Sequence, residues 1–229
     1  MNLAVEKEEK TTLLESKAKI DKAYLNYNKI IDKQLPQKFD YLDDWQFKYS
    51  KLLLDEAEEL EDSILDKKNN HTIFKKYKRG TIIKIDFGVG LGSEMSQVHY
   101  AIVLNKYDNP HNKILTVIPL TSKKSKFNLD LDNLIYDSFS NTLMGLLDEC
   151  CDKDGKVINP VKYEKLYTLI KVYKNSFFKH TYACCSLITT ISKTRIKNPV
   201  NEYDIIGKQI CPNEVLDKID AEIIDRFTH

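Results

Sequence analysis

The chain has 229 residues, 42% of them hydrophobic, and a formal net charge of +1. This is room for one sizeable core or two small domains. No run of about 18 apolar residues occurs, so no membrane span is expected. The N-terminus, MNLAVEKEEKTTLLESK, is too charged for a secretory signal peptide. Five cysteines (Cys150, Cys151, Cys184, Cys185, Cys211) form an odd set with two adjacent pairs. That pattern argues against a disulfide framework or a zinc site, and for a reduced, cytoplasmic chain. Charge is uneven: residues 1–72 carry 12 basic and 16 acidic side chains, net −4, which leaves +5 for the rest. An acidic front on a mildly basic remainder is compatible with a nucleic-acid ligand.

In chain order, residues 6–67 contain no glycine and one proline, Pro36. Ile20, Tyr24, Tyr27 and Ile31 recur at helical spacing before it, and Leu42, Trp45, Tyr49, Leu53, Ala57, Leu60 and Ile64 after it. Proline cannot continue a helix interior, so Pro36 marks the bend of a hairpin of two antiparallel helices. The run DEAEELED leaves one face acidic, either a solvated face or a surface that mimics or excludes RNA. The polar stretch Asp66 to His71 suits a domain boundary.

Beyond it, Thr81–Phe87, Ala101–Leu104 and Ile114–Leu120 are short β-rich runs separated by turn residues. Residues 130–176 are mostly helical in pattern, and Thr181–Thr190 forms a further strand. Pro212–Phe227 closes the chain as an amphipathic helix with the stripe Val215, Ile219, Ile223, Phe227.

Three of the 7 glycines fall in FGVGLGSEMSQVHYAIV, at Gly88, Gly90 and Gly92. A dinucleotide fingerprint needs G-x-G-x-x-G at a strand-to-helix turn, yet Ser93 holds the third position and a strand follows. A phosphate-binding P-loop fails as well, with no G-K-S/T and no helix N-terminus to meet a pyrophosphate. The alternative is a flexible loop over residues 88–99, a flap beside a binding surface. Its polar members Ser93, Glu94, Gln97 and His99 lead into a strand, and the neighbouring strand delivers Thr121 and Ser122. No histidine stands in H-E-x-x-H or beside C-x-x-C, so no metal and no cofactor is expected. His, Thr and Ser suffice for RNA cleavage by its own 2′-OH: histidine transfers protons near neutrality, and hydroxyls donate to phosphate oxygens. On residue type alone, His99 reads as a surface histidine at a strand start rather than a catalytic one.

Arg79-Gly80 before a strand, then Gly92-Ser93-Glu94, a strand, and Pro119-Leu120-Thr121-Ser122 resemble the MazF/PemK family of toxin endoribonucleases. The family pattern runs R-G-D/E, G-S-E-x-x-x-x-R-P, then an apolar strand ending P/A-L/I-T-S/A. Ile188-Thr-Thr-Ile-Ser-Lys193-Thr-Arg195-Ile196 resembles its I-R-T-I/V-D/S-K-x-R-L/I strand, so the likeness spans about residues 75–123 and 178–228. It implies an α+β fold, a small antiparallel SH3-like barrel with flanking helices, here preceded by the helical hairpin. It also implies a homodimer that cuts single-stranded RNA (mRNA) without metal and is blocked by an antitoxin protein. The expected organisation is a helical extension, 1–72, and a MazF/PemK-like domain, 73–229, with a helical insertion at 124–177.

Carried over, the family's catalytic threonine falls on Thr121 and its catalytic arginine on His99. The resemblance therefore implies catalysis by His99, Thr121 and Ser122, with RNA contacts from Ser93, Glu94, Gln97, Arg79, Lys193 and Arg195. Arginine is a permanent cation, whereas histidine moves protons but is only partly charged at pH 7. Two readings stay open: His99 takes over the acid–base step, or this branch is a binding or regulatory protein acting on a protein partner. Thr189 also stands where the family has the arginine of I-R-T. Tyr163, Tyr167, Tyr173, Phe177 and Phe178 of the insertion are either base-stacking residues or core.

Overall fold

The computed structural model describes residues 2–65, 72–177 and 180–228. The boundary stretch Asp66–His71 and the ring of Phe178 lie outside the described residues, as does the side chain of Phe177. The chain divides into two compact units, residues 1–68 with 88–91 and residues 69–87 with 92–229.

The first unit holds α1 (Asn2–Ile31) and α2 (Leu42–Ile64), joined through a 3-10 turn over Gln37–Tyr41. Pro36 sits extended just before that turn, at φ −72° and ψ −179°, where its missing N–H costs nothing. The two stripes that suggested a hairpin remain largely uncovered: Ile20, Tyr24, Ile31, Tyr49, Leu53, Leu60 and Ile64 are exposed. Burial in α2 is confined to Leu42 and Trp45. Trp45 lies against Gly88, where an added Cβ would come within 2.2 Å of the indole Cε2. Gly88 also has φ +73°, a conformation that favours glycine. Lys38 Nζ donates to the Gly90 carbonyl at 2.8 Å. The loop 88–99, expected as a mobile flap, is thus held at its start, because Gly88–Leu91 packs with the helices.

The second unit is a mixed assembly of helices and antiparallel sheet. The chain first lays down β1 (Ile82–Asp86), β2 (Val98–Val103), β3 (Ile114–Thr121) and β4 (Leu129–Asp130). The helices α3 (Leu134–Asp148) and α4 (Pro160–Phe177) follow, then β5 (Tyr182–Ala183), β6 (Thr189–Ser192) and α5 (Asn213–Phe227). β2 pairs with β1 on one side and β3 on the other, with Ile85↔His99 and Ala101↔Pro119 in register. The far edge of β3 takes β6 along its first half and β5 at its end, with Leu115↔Ile191 and Thr121↔Tyr182. Pro119 suits this edge, since its carbonyl accepts from the Cys184 N–H at 2.9 Å and its nitrogen owes no bond. β4 lies outside β5, pairing Asp130 with Tyr182. Among the described residues the strand path runs β1-β2-β3-β5-β4 and does not close on itself.

The single strand expected over Thr181–Thr190 is a correction. It is two strands separated by a 3-10 turn at Cys185–Leu187. Comparing the two registers on β3, the turn absorbs three extra residues, so no continuous ladder is possible.

Side chains alternate along the strands as a sheet buried on both faces requires. Ile82, Ile102, Ile118 and Leu120 join Phe139, Leu143, Leu166, Leu169, Tyr173 and Ile219 from the helices in one core. Ile83, Ile85, Ala101, Val103, Leu115, Val117 and Ile191 form a second core on the opposite face. Tyr173 is therefore core, with Tyr163 packed against it in part, while Tyr167 remains 45% exposed. Gly80 serves a close approach: at φ +82°, a Cβ there would lie 3.1 Å from both Ile210 and Leu216.

Candidate active site

His99 stands in β2 and Thr121 at the end of β3. Extending the β2–β3 register two residues past Ala101↔Pro119 sets these two opposite each other. A cavity of about 190 Å³ is lined by His99, Thr121, Ser122, His180 and Thr181, with Val98, Tyr100, Leu120 and Ile135 as its apolar wall. Drug-sized pockets run to roughly 300–1,000 Å³, so this one is smaller than a drug-sized site.

The His99 ring is half-buried, and its Nδ1 lies 3.2 Å from the Leu120 carbonyl. That oxygen can only accept, so a neutral ring bonded to it carries its proton on Nδ1. Burial, foremost, lowers the pKa of His99 from the ordinary 6.5; the nearby Lys123 charge adds to this, while the carbonyls of Leu120 and Ser96 oppose it. A neutral imidazole at this place is a proton acceptor at neutral pH. The Thr121 hydroxyl accepts from the Lys123 N–H at 3.2 Å, which leaves its own proton for an oxygen in the cavity.

One residue lining the cavity and one loop near it escaped sequence reasoning. His180 Nε2 lies 2.5 Å from Asp130 Oδ1, and its ring packs on Tyr182 at 4.9 Å between centroids. The exposed loop after β3 carries Lys123, Lys124 and Lys126; the charge of Lys123 reaches His99 and that of Lys124 reaches Asp130. The visible signal was the run TSKKSK straight after the threonine. For His180 it was a histidine at the mouth of a strand that had no assigned neighbour.

The remaining expected contacts are spread out. Ser93, Glu94 and Gln97 are exposed on the turn leading into β2, outside the cavity lining, with Gln97 at φ +67°. Arg79 sits at the opposite end of β2 from His99, donating from Nη1 to the Leu104 carbonyl at 2.7 Å and pairing with Asp220 of α5. Lys193 is a correction, for it is a structural residue with its side chain only 2% exposed. Its Nζ contacts both carboxylate oxygens of Asp108 at 2.8 Å, and the carbonyls of Lys75 and Asn109 at 3.2 Å. Those partners saturate an ammonium with three N–H bonds, so none remains for phosphate. Arg195 donates from Nε to the Asp86 carbonyl at 2.9 Å, and Asp86 pairs with Val98, beside His99.

Residues 78–146 match the family model of the PemK-like, MazF-like toxin of type II toxin–antitoxin systems. No curated protein matches the chain. The toxin-like segment runs from Arg79 through β1, β2, β3 and β4 into α3, and contains His99, Thr121, Ser122 and Asp130. It stops before His180, Lys193 and Arg195. Metal ligation has one geometric candidate among the described residues, where single ligand atoms of Asp130, Asp132 and His180 lie within 4.8 Å of one another. No helix among the described residues is long and apolar enough to cross a membrane.

Proposed function

We propose that the protein is a toxin-type endoribonuclease that cleaves single-stranded RNA by attack of the 2′-OH on the adjacent phosphate, without metal. The observation carrying this reading is the cavity in which His99, Thr121 and Ser122 meet inside the PemK-like segment. His99 takes the proton of the 2′-OH at Nε2. Thr121 and Ser122 donate to the phosphate oxygens as charge builds on them. The Lys123–Lys126 loop supplies the positive charge that the histidine-for-arginine exchange removes, and Arg195 is a further phosphate contact.

The finer architecture belongs to the same proposal: an SH3-like barrel, assembled as a homodimer and held in check by an antitoxin protein. The division into a helical extension, 1–72, and a toxin-like domain, 73–229, with its insertion at 124–177, is part of it too. A cytoplasmic site of action follows from an mRNA substrate.

The test is incubation of a mixed-sequence RNA with the full chain and with His99→Ala and Thr121→Ala, all in EDTA. Cleavage by the full chain that is lost in both variants supports the reading. Cleavage that persists in both, or stops on adding EDTA, overturns it. His99 and Thr189, each in place of a family arginine, favour a second reading in which the fold binds a protein partner. Intact RNA beside the full chain, with a stable protein complex, supports that alternative.

A further inference from the structure

We propose that His180 is the general acid of this reaction, the group that protonates the departing 5′-oxygen, with Asp130 as its positioning residue. This rests on the endoribonuclease reading above. The observation behind it is that one cavity holds two histidines on opposite sides of Thr121. His99 comes from β2, across one edge of β3. His180 precedes β5, which pairs with Thr121 across the other edge through Tyr182. A phosphate bonded to Thr121 would therefore have one imidazole on each side. In-line displacement needs that arrangement, because the attacking 2′-oxygen and the leaving 5′-oxygen depart from opposite faces of phosphorus.

The two histidines differ in their partners. His99 gives its Nδ1 proton to a neutral carbonyl. His180 places Nε2 on the carboxylate of Asp130, so Nδ1 is its remaining nitrogen. Asp130 Oδ1 also accepts from the Asp132 N–H at 2.9 Å, which fixes the orientation of the carboxylate. A carboxylate that fixes one nitrogen of an imidazole orients the other, the logic of an acid–base dyad. Among the described residues, the charged or titratable groups near His180 include Asp130 on β4, Asp132 just after it, Tyr182 on β5, and His99 in the same cavity.

The step balances without any redox partner. The 2′-OH proton moves to His99 Nε2 and the 2′-oxygen bonds to phosphorus. The P–O5′ bond breaks with its electron pair on the 5′-oxygen, which takes the Nδ1 proton of the His180 imidazolium. The products are a 2′,3′-cyclic phosphate and a 5′-hydroxyl. His99 ends protonated and His180 neutral.

The test compares one RNA with its analogue in which sulfur replaces the bridging 5′-oxygen at the cleavage site. A thiolate leaves without needing a proton. His180→Gln and Asp130→Asn serve as variants, since the two side chains are 40% and 52% exposed and their replacement spares the cores. Thermal melting confirms that both are folded. The expected result for His180→Gln is a loss of roughly 100- to 10,000-fold on ordinary RNA, with near wild-type rates on the sulfur analogue. Asp130→Asn should follow the same pattern with a smaller loss. His99→Ala should be slow on both substrates. Wild-type rates for His180→Gln on ordinary RNA, or equal losses on both substrates in both folded variants, overturn the assignment while leaving the endoribonuclease reading in place. Metal-restored cleavage after EDTA also overturns it, by making Asp130, Asp132 and His180 a cation site. A wild-type chain that leaves both substrates intact refutes the parent reading, and this inference with it.

Discussion

His99 Nδ1 lies 3.2 Å from the carbonyl oxygen of Leu120, in the strand that carries Thr121. This bond selects the tautomer, and burial holds the ring's pKa below 6.5. A general base acts only when neutral, so the cleavage rate should fall as pH drops through that lowered value. The acid limb of the pH–rate curve, and the NMR titration of His99, should therefore both have midpoints below 6.5. A midpoint at or above that value contradicts the assigned role. Stability has the same sign. In this window the unfolded chain binds more protons than the folded one, so the contribution is present above the unfolded pKa and is lost as pH falls.

Lys123 helps to depress the His99 pKa, and it shares a loop with Lys124 and Lys126. Replacing all three by alanine should weaken RNA binding uniformly across sequences. Each lost phosphate contact should reduce the slope of log affinity against log salt by about 0.7. Lys123→Ala alone should move the acid limb upward. An unchanged salt slope in the triple variant means that the loop does not meet the RNA.

Lys193 and Asp108 form a buried pair with side chains 2% and 0% exposed. Burial alone would raise the Asp108 pKa, but hydrogen bonds from Lys193, the Tyr77 N–H and Asn112 outweigh it and hold the carboxyl below its ordinary value. Lys193→Met leaves that carboxylate buried without its cation and should cost about 3–5 kcal/mol in chemical denaturation. At a temperature where the variant is folded, RNA affinity should be that of the wild type. A specific loss of affinity without a loss of stability would restore Lys193 as a phosphate contact.

Gly88 and Gly92 separate two uses of glycine. Both have positive φ, yet a Cβ at Gly92 meets nothing within 4 Å whereas one at Gly88 runs into Trp45. Gly92→Ala should cost roughly 1–2 kcal/mol of left-handed strain. Gly88→Ala should cost about 1–3 kcal/mol more through overpacking. Trp45→Ala combined with Gly88→Ala removes the clash, so the double variant should lose less than the sum of the singles. Equal costs at the two glycines would show that the indole gives way.

The first three strands, the helical front and the grouping of His99, Thr121 and Ser122 were legible in the sequence. Strand period, turn residues and motif order are local properties, carried by neighbours a few positions apart. The partners of Lys193, Arg79 and His180 were not legible, because each lies far along the chain: Asp108, Asp220 and Asp130. A lysine in a strand motif reads the same whether it faces solvent or a buried carboxylate. Nothing local to TYACCSLITT announces a break, either. The break follows from β5 and β6 sharing one edge of β3 in registers three residues apart.

The sequence by itself determined most of the secondary elements and singled out His99 and Thr121 as candidates, since alternation and motif spacing are written along the chain. Only the tertiary structure decided which charges are spent inside the fold and which reach the cavity. Burial and ion pairing are set by what packs against a side chain, and that is fixed when distant strands meet.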